Sequence, residues 1–558
     1  MSSLLTRLSR LRSVQSTISG DQQHDPRLLE QSPQQSHLHH GFAQLAAAAE
    51  QWSNTIAQVS FDKHFVVPHA NPTCWQFFGS SSVYALAVEV LVHAQAKFGQ
   101  VTHQDAYLGP QFRLNAQTTE ERGPPKPRPT PERAELEMLV SLYLQTTNVL
   151  VCFIDQDTIT HDIDVYSMHH GPLVRTLTGR DAHQFFRISM ICAIGAANKA
   201  RHRPAYAAES MQYYQEALQC VEEVTSDVSS DSLIALMLLI SFTLFYPRKG
   251  DVWKLLDYAC RLSVELNYHM EPNDQFEDEK SRLKRRSMFW GLYTLERTVG
   301  QHFGRPSDLP EEIITVEYPG NMIDMAVADP AKQQVILQSH YYRLTYLRSE
   351  IFRELYLPAA TPNLPHQWYE QRLANIISWR DEIQYETLSG MGSITCDMGV
   401  DTSVCFLFQP LILRALNATR DLTLPHDSRE IVPRESYFSA CQTIEHYNKI
   451  LRAPEDHPYG MYPLTIISAH YIHTAAMIII AHCLLAIDGR VPTTSFIPEQ
   501  GANLSGAIDF RSIYDISGVC LILLSKLAER WPGMVGMLDI FKSLSDKILP
   551  VMMRAGLG

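Results

Sequence analysis

Two pairs of aspartates, Asp155 with Asp157 and Asp162 with Asp164, come nearest to a catalytic spacing in this chain. Acids grouped on a helix hold magnesium against a diphosphate in all-α enzymes that act on prenyl diphosphates. Here they stand among Thr158, Thr160 and Ile163, a stretch that reads as loop more than helix, where paired acids solvate the chain. His169-His170-Gly171-Pro172 sets two imidazoles side by side, but neighbours on one strand of chain rarely reach the same ion, and Gly-Pro marks a turn. His37, His39 and His40 lie in a polar, Gln-rich tract and read as solvated. Ten cysteines, at 74, 152, 192, 220, 260, 396, 405, 441, 483 and 520, give no Cys-x-x-Cys and no closed zinc spacing. Gly-Lys never occurs, which removes a phosphate-cradling loop, and HExxH, GxGxxG and GxSxG are missing too. No catalytic, cofactor or metal residue is assigned, and the chain is expected not to be an enzyme.

Any such residues would have to be held by helices. The 558 residues are 45% hydrophobic and 19% charged, enough apolar material for large cores. Their net charge of −13, from 47 Lys+Arg against 60 Asp+Glu, argues against coating nucleic acid with the whole surface. The polar, basic start with Arg7, Arg10 and Arg12 lacks the apolar run of a secretory signal. Scattered cysteines suit a reducing interior, where most act as small buried hydrophobes. Residues 464–487 carry no Asp, Glu, Lys or Arg and are long enough to span a bilayer, yet include His470, His473 and His482. They read as a buried core helix, and no membrane association is expected.

Along the chain, Leu4, Leu8, Leu11 and Ile18 form a heptad-like seam over residues 1–19, a candidate dimer contact or an amphipathic tail. Residues 20–131 read as a linker and variable region ending in Gly123-Pro-Pro-Lys-Pro-Arg-Pro-Thr-Pro131, an extended spacer or loop. From Glu132 onward, three/four apolar spacing recurs between Pro, Gly and Asp clusters. It predicts helices over Glu132–Thr147, Gln184–Lys199, Ala205–Val224, Ser232–Tyr246, Val252–Tyr268 and Glu277–Val299. Others follow at 332–356, 365–388, 402–419, 433–451, 464–487, 509–530 and 534–553. In Val252–Tyr268 the expected inner face is Leu255, Ala259, Leu262 and Leu266; in Glu277–Val299 it is Met288, Leu292, Leu295 and Val299. The class is all-α, a large multi-helix region. Lys284-Arg285-Arg286 is either a nuclear-import or phosphate-binding run or the solvated start of a helix.

Two blocks are recognisable. Trp253 opens a helix that ends Glu265-Leu-Asn-Tyr-His269, and Arg285-Arg286-Ser-Met-Phe-Trp290-Gly-Leu-Tyr293-Thr-Leu-Glu-Arg297 precedes Gly304-Arg305-Pro306. In that order and separation they resemble the regulatory middle homology region of fungal six-cysteine binuclear zinc cluster transcription factors, over roughly 132–400. Leu521–Leu549, with Arg530-Trp531-Pro532, is similar to the family's C-terminal end, so 401–558 is expected to pack on the middle region. Asn267-Tyr268 stands where the family has Gly-Leu, and Glu296 where it has Asp. Trp253, His269, Arg286, Trp290, Tyr293, Arg297, Gly304, Arg305 and Pro306 carry the resemblance, which implies structural roles for them.

The same resemblance implies a pathway-specific transcription regulator in the nucleus, controlling a secondary-metabolic cluster or catabolic genes. Its partners would be promoter DNA, directly or through another factor, a second chain as homo- or heterodimer, and a small-molecule effector. The family's DNA-binding module holds two zinc ions on six close cysteines, followed by a coiled coil that Leu4–Leu11 resembles. The ten cysteines here cannot form that cluster, so zinc is expected only if an upstream segment is missing from the gene model. The alternative is a coregulator that dimerises with a complete zinc cluster factor. An all-α enzyme on a hydrophobic substrate is the third reading.

Overall fold

Apolar three/four spacing does produce helices throughout. The computed structural model describes residues 65–68, 75–99, 101, 130–154, 156–169, 177–271, 278–322, 330–357, 364–382, 390–418, 432–491, 510–531 and 534–555. The Leu4, Leu8, Leu11 and Ile18 seam, His37, His39 and His40, and the proline-rich run up to 129 lie outside them.

The fold is all-α apart from one hairpin, where β1 (Phe65–Pro68) pairs antiparallel with β2 (Trp75–Phe78), Phe65 facing Phe78. Four residues per strand are too few for alternation to be read from sequence. The helices are α1 (Val83–Phe98), α2 (Arg133–Gln145), α3 (Gln156–His169), α4 (Gly179–Lys199) and α5 (Tyr206–Ala217). Next come α6 (Ser230–Phe245), α7 (Val252–Glu265), α8 (Glu279–Phe303), α9 (Pro330–Leu355) and α10 (His366–Asp381). The last are α11 (Gly390–Ala418), α12 (Arg434–Arg452), α13 (Ile466–Ile487), α14 (Phe510–Arg530) and α15 (Val535–Ala555). Caps define several starts. Ser82, Ser229, Asp251 and Asp278 accept backbone N–H groups of the first turns of α1, α6, α7 and α8. Thr465 and Ser468 form a reciprocal capping box on α13.

Three apolar clusters fill the interior. The first joins α2 to α8; the second joins α1 with α11 to α15; the third lies between α9, α10 and α11. Helix α11 serves two of them. Ile394, Met398, Cys405 and Ile412 face the second cluster, while Cys396, Val400, Val404, Leu407 and Leu411 face the third. A helix apolar all round is a helix buried all round, and α13 is the same. Both pass a length-and-hydropathy test for crossing a bilayer, and both are mostly enclosed by other helices. His470, His473 and His482 sit inside with α13.

Several expectations need correction. Within the variable region 20–131, α1 packs against α11 and α13, and His93 lies 2.7 Å from Asp488 just beyond α13. The expected division at 400/401 falls inside α11, which begins twelve residues before the expected 402. The glycines at 390, 392 and 399 hid that start, yet they suit close packing; a Cβ on Gly399 would stand 2.7 Å from Leu344. The acids at 157–164 lie on helix α3, not in a loop. On α7 the buried face is Leu256, Ala259, Cys260 and Ser263 with Leu262, so the inner stripe is rotated and Leu255 and Leu266 stand only half inside.

Candidate functional site

The recognisable blocks converge on α8. Three/four spacing turns Met288, Leu292, Leu295 and Val299 inward, and the larger residues of the recognisable blocks follow the same faces. Trp290 is 3% exposed. Its indole N–H donates to the Glu317 carbonyl at 3.0 Å, and its ring stacks on Tyr318 at 4.3 Å between centroids. Arg286, one turn earlier, is buried and holds Glu271 through two N–H groups at 3.1 and 2.6 Å, with Glu317 at 3.1 Å. Burial raises the Glu271 carboxyl, but hydrogen bonds from Arg286 and the Glu317 amide outweigh it and leave its pKa below the ordinary value. Arg286 therefore belongs to the interior, and Lys284-Arg285-Arg286 is not a three-cation surface run.

Another turn along, Tyr293 and Arg297 meet Glu311. The Tyr293 hydroxyl donates to Glu311 at 2.7 Å, Arg297 Nη2 at 3.0 Å and the Ser349 hydroxyl at 2.8 Å. Arg297 also donates to the Leu309 carbonyl at 2.6 Å, to Ser349 at 3.0 Å and to Glu296. Burial alone would lower the Arg297 pKa; Glu296 and Glu311 more than offset it and push it up. Burial also pushes the Tyr293 phenol far up, so it stays a donor. One guanidinium between two carboxylates, with Tyr293, Ser349 and the Leu309 carbonyl drawn in, makes a network fitted to hold the chain after α8 against α9.

Gly304 ends α8 with φ 69°, ψ 30°. The Gly304 amide donates to Gln301 O and the Arg305 amide to Gly300 O, a Schellman closure. Gly79 approaches so closely that a Cβ on Gly304 would lie 2.4 Å from Gly79 Cα. The Gly79 amide donates to Phe303 O at 3.1 Å and the Ser81 hydroxyl to Gln301 O at 2.6 Å. The turn before α1 thus satisfies carbonyls left open at the end of α8. Arg305 lies over the Trp253 ring at 4.1 Å, and Trp253, only half-buried, meets Phe303 edge-on. Burial lowers the Arg305 pKa, and no acid pairs with it among the described residues. His269 is buried, its imidazole pulled down by desolvation; its carbonyl accepts from Thr315 and Val316. Asn267 takes φ 59° in the same Schellman geometry at the end of α7. That explains the Asn-for-Gly exchange, because Asn is among the few side chains that tolerate this region.

Between α8, α9 and the Pro306–Glu312 segment lies a cleft of about 220 Å³, reached by Arg297, Arg305, Glu311, Phe352 and Arg353. Sequence reasoning found Arg297 and Arg305 but missed Glu271, Glu311, Ser349 and Gly79, whose partners are 14 or more residues away with no spacing to signal them. Asp155 lies outside the described residues, and Asp162 and Asp164 do not form a site together. Asp162 is buried under Arg187 at 2.6 Å and Gln184 at 2.9 Å, and Asp164 pairs with Arg133. Of nine described cysteines, Cys192, Cys220, Cys260, Cys396, Cys405, Cys483 and Cys520 are buried. Burial pushes Cys220 up to about 11 and Cys483 to about 12, far from thiolate reactivity. No group of three metal-binding side chains occurs among the described residues.

Residues 140–386, which contain all these blocks, match the fungal specific transcription factor domain. The chain is 28% identical over 218 residues to pyrimidine pathway regulatory protein 1 of Saccharomyces cerevisiae, covering 36% of this chain and 23% of that protein. It is 22% identical over 286 residues to the positive regulator of purine utilization of Emericella nidulans, covering 40% and 26%. With the lactose regulatory protein of Kluyveromyces lactis it shares 24% over 174 residues, covering 31% and 18%. It spans about a quarter of the length of the first two. The helices that carry Trp290, Arg297 and Gly304 therefore lie within the stretch, residues 140–386, that matches the fungal specific transcription factor domain.

Proposed function

We propose that the chain is a pathway-specific transcription regulator whose helical body controls activity in the nucleus. The supporting observation is the matched domain itself: its motif residues Arg286, Trp290, Arg297 and Gly304 build one continuous α8 interior instead of a reaction centre. The relatives are named for pyrimidine, purine and lactose pathways, which supports control of a catabolic or secondary-metabolic gene set. A small-molecule effector and promoter contact, direct or through a partner factor, complete this reading. The test is transcript profiling after deletion and overexpression in the source fungus, with a fluorescent fusion for location. A coherent gene set should change and the fusion should enter the nucleus; unchanged transcripts or exclusion from nuclei would reject the reading.

A second reading, the coregulator, is favoured by the cysteine spacing, which provides no six-thiolate cluster within these residues. It requires dimerisation through Leu4, Leu8, Leu11 and Ile18 with a complete zinc cluster factor. Co-purification with such a factor, lost on Leu8→Lys/Leu11→Lys, supports it; tight promoter binding by the chain alone removes it. Two of the acids behind the enzyme reading, Asp162 and Asp164, are engaged by Arg187 and Arg133.

A further inference from the structure

Arg348 on α9 is a buried cation that the fold leaves without a counter-charge. Its residue is 8% exposed. Nε donates to Gln301 Oε1 at 3.2 Å and Nη1 to the Thr402 hydroxyl at 3.2 Å, both neutral partners. The guanidinium lies over the rings of Phe406 at 5.2 Å and Tyr471 at 5.5 Å. No ion pair engages it among the described residues, unlike buried Arg286 and Arg297 and half-buried Arg187, each of which has a carboxylate. Asp401, beside Thr402 in sequence, lies 3.5 Å from His446. Burying a charge unpaired is strongly unfavourable, and ring faces offset only part of that cost.

Arg348 opens on a cavity of about 30 Å³ where α8, α9, α11, α12 and α13 meet the turn before α1. It is faced by unengaged N–H donors of Arg348 and Gln301. Guanidinium has five N–H groups, of which two are used. The Gln301 amide nitrogen is buried without a partner. The hydroxyls around it face the other way: Ser81 donates to Gln301 O, Thr402 to Met398 O and Thr443 to Ser439 O. A cavity with surplus positive charge, surplus N–H groups and room for one small group is complementary to an anion.

We infer that this cavity binds a small monovalent anion, with a carboxylate of formate or acetate size the best match to the planar fork of Arg348. In the regulator proposed above such an anion would be an effector lodged between the three apolar clusters; that consequence rests on the proposed function, while the binding itself does not. The test uses the purified full chain, with sodium formate, acetate or chloride titrated at ionic strength held constant by sodium gluconate. Thermal unfolding and calorimetry are the readouts. A saturable rise in Tm, half-complete in the millimolar range, is expected with formate or acetate and lost in Arg348→Met. Gln301→Leu should weaken binding at least threefold, and carries the test if Arg348→Met fails to fold. An equal response to chloride supports the anion site and shows that it reads charge rather than carboxylate shape. No saturable response to any anion, or a response unchanged in both variants, overturns the inference. Because no DNA is present, that failure is separate from a failure of the transcriptional reading.

Discussion

Acid should unfold this protein well before its carboxylates protonate, because α13 buries three neutral imidazoles. Desolvation pulls His470 down to about 4, His473 to about 3, with the nearby His470 adding to the effect, and His482 to about 4, against an ordinary value of 6.5. Above pH 6.5 folded and unfolded chains are both neutral at these sites, so stability is flat. As pH falls through 6.5 the unfolded chain takes up protons that the folded one refuses, and stability is lost until the folded values are reached. At pH 5, about 1.5 units below 6.5, each histidine costs roughly 2 kcal/mol, since one unit is worth about 1.4. Together they remove on the order of 6 kcal/mol from a total of about 5–15 for a typical domain. His302, buried against His470 with its pKa also depressed, adds in the same direction. Urea unfolding at pH 8, 7, 6 and 5 at fixed ionic strength reads this directly as a falling midpoint. His473 has no hydrogen-bond partner on either ring nitrogen, so His473→Leu should recover about 2 kcal/mol at pH 5. A midpoint constant from pH 8 to 5, or a variant as acid-labile as the parent, would refute the reasoning.

Three further outcomes test the site. Trp290→Ala should destabilise by about 3–5 kcal/mol in urea unfolding, because it empties a buried, stacked and hydrogen-bonded position. Arg297→Ala leaves buried Glu296 and half-buried Glu311 without their cation and should cost about 3–5 kcal/mol, whereas a surface pair such as Arg511 with Asp515 should change little in the same assay. Gly304→Ala should cost at least the roughly 1–2 kcal/mol of a left-handed residue, plus the displacement of Gly79; Asn267→Gly should be neutral or stabilising by thermal melt.

Local spacing carried the sequence reading as far as local forces decide structure. Met288, Leu292, Leu295 and Val299 lie inside because a helix repeats its faces, and Gly304 turns the chain because few other residues adopt its φ. Where long-range packing decides, the reading slipped. Spacing alone misplaces the α7 stripe because Leu255 and Leu266 edge a core chosen by α6 and α8, and it shortens α11 because the glycines there meet neighbours that no local rule reveals. The network around Glu311 was invisible for the same reason: Ser349 reaches it from 38 residues away. Arg348 carries no sequence signal at all, since what distinguishes it is a counter-charge that never arrives.

The chain's last stretch bears on how genetic lesions here would behave. Trp531, at the end of α14, donates its indole N–H to the Phe245 carbonyl at 3.0 Å, and Arg530 reaches the Ala197 carbonyl at 3.3 Å, so the final helices are fastened to α6 and α4. A premature stop before Phe510 would strip α14 and α15 from the second cluster and leave α13 with one side bare. Loss of function on such a truncation would therefore report a broken core rather than a separable C-terminal activation segment.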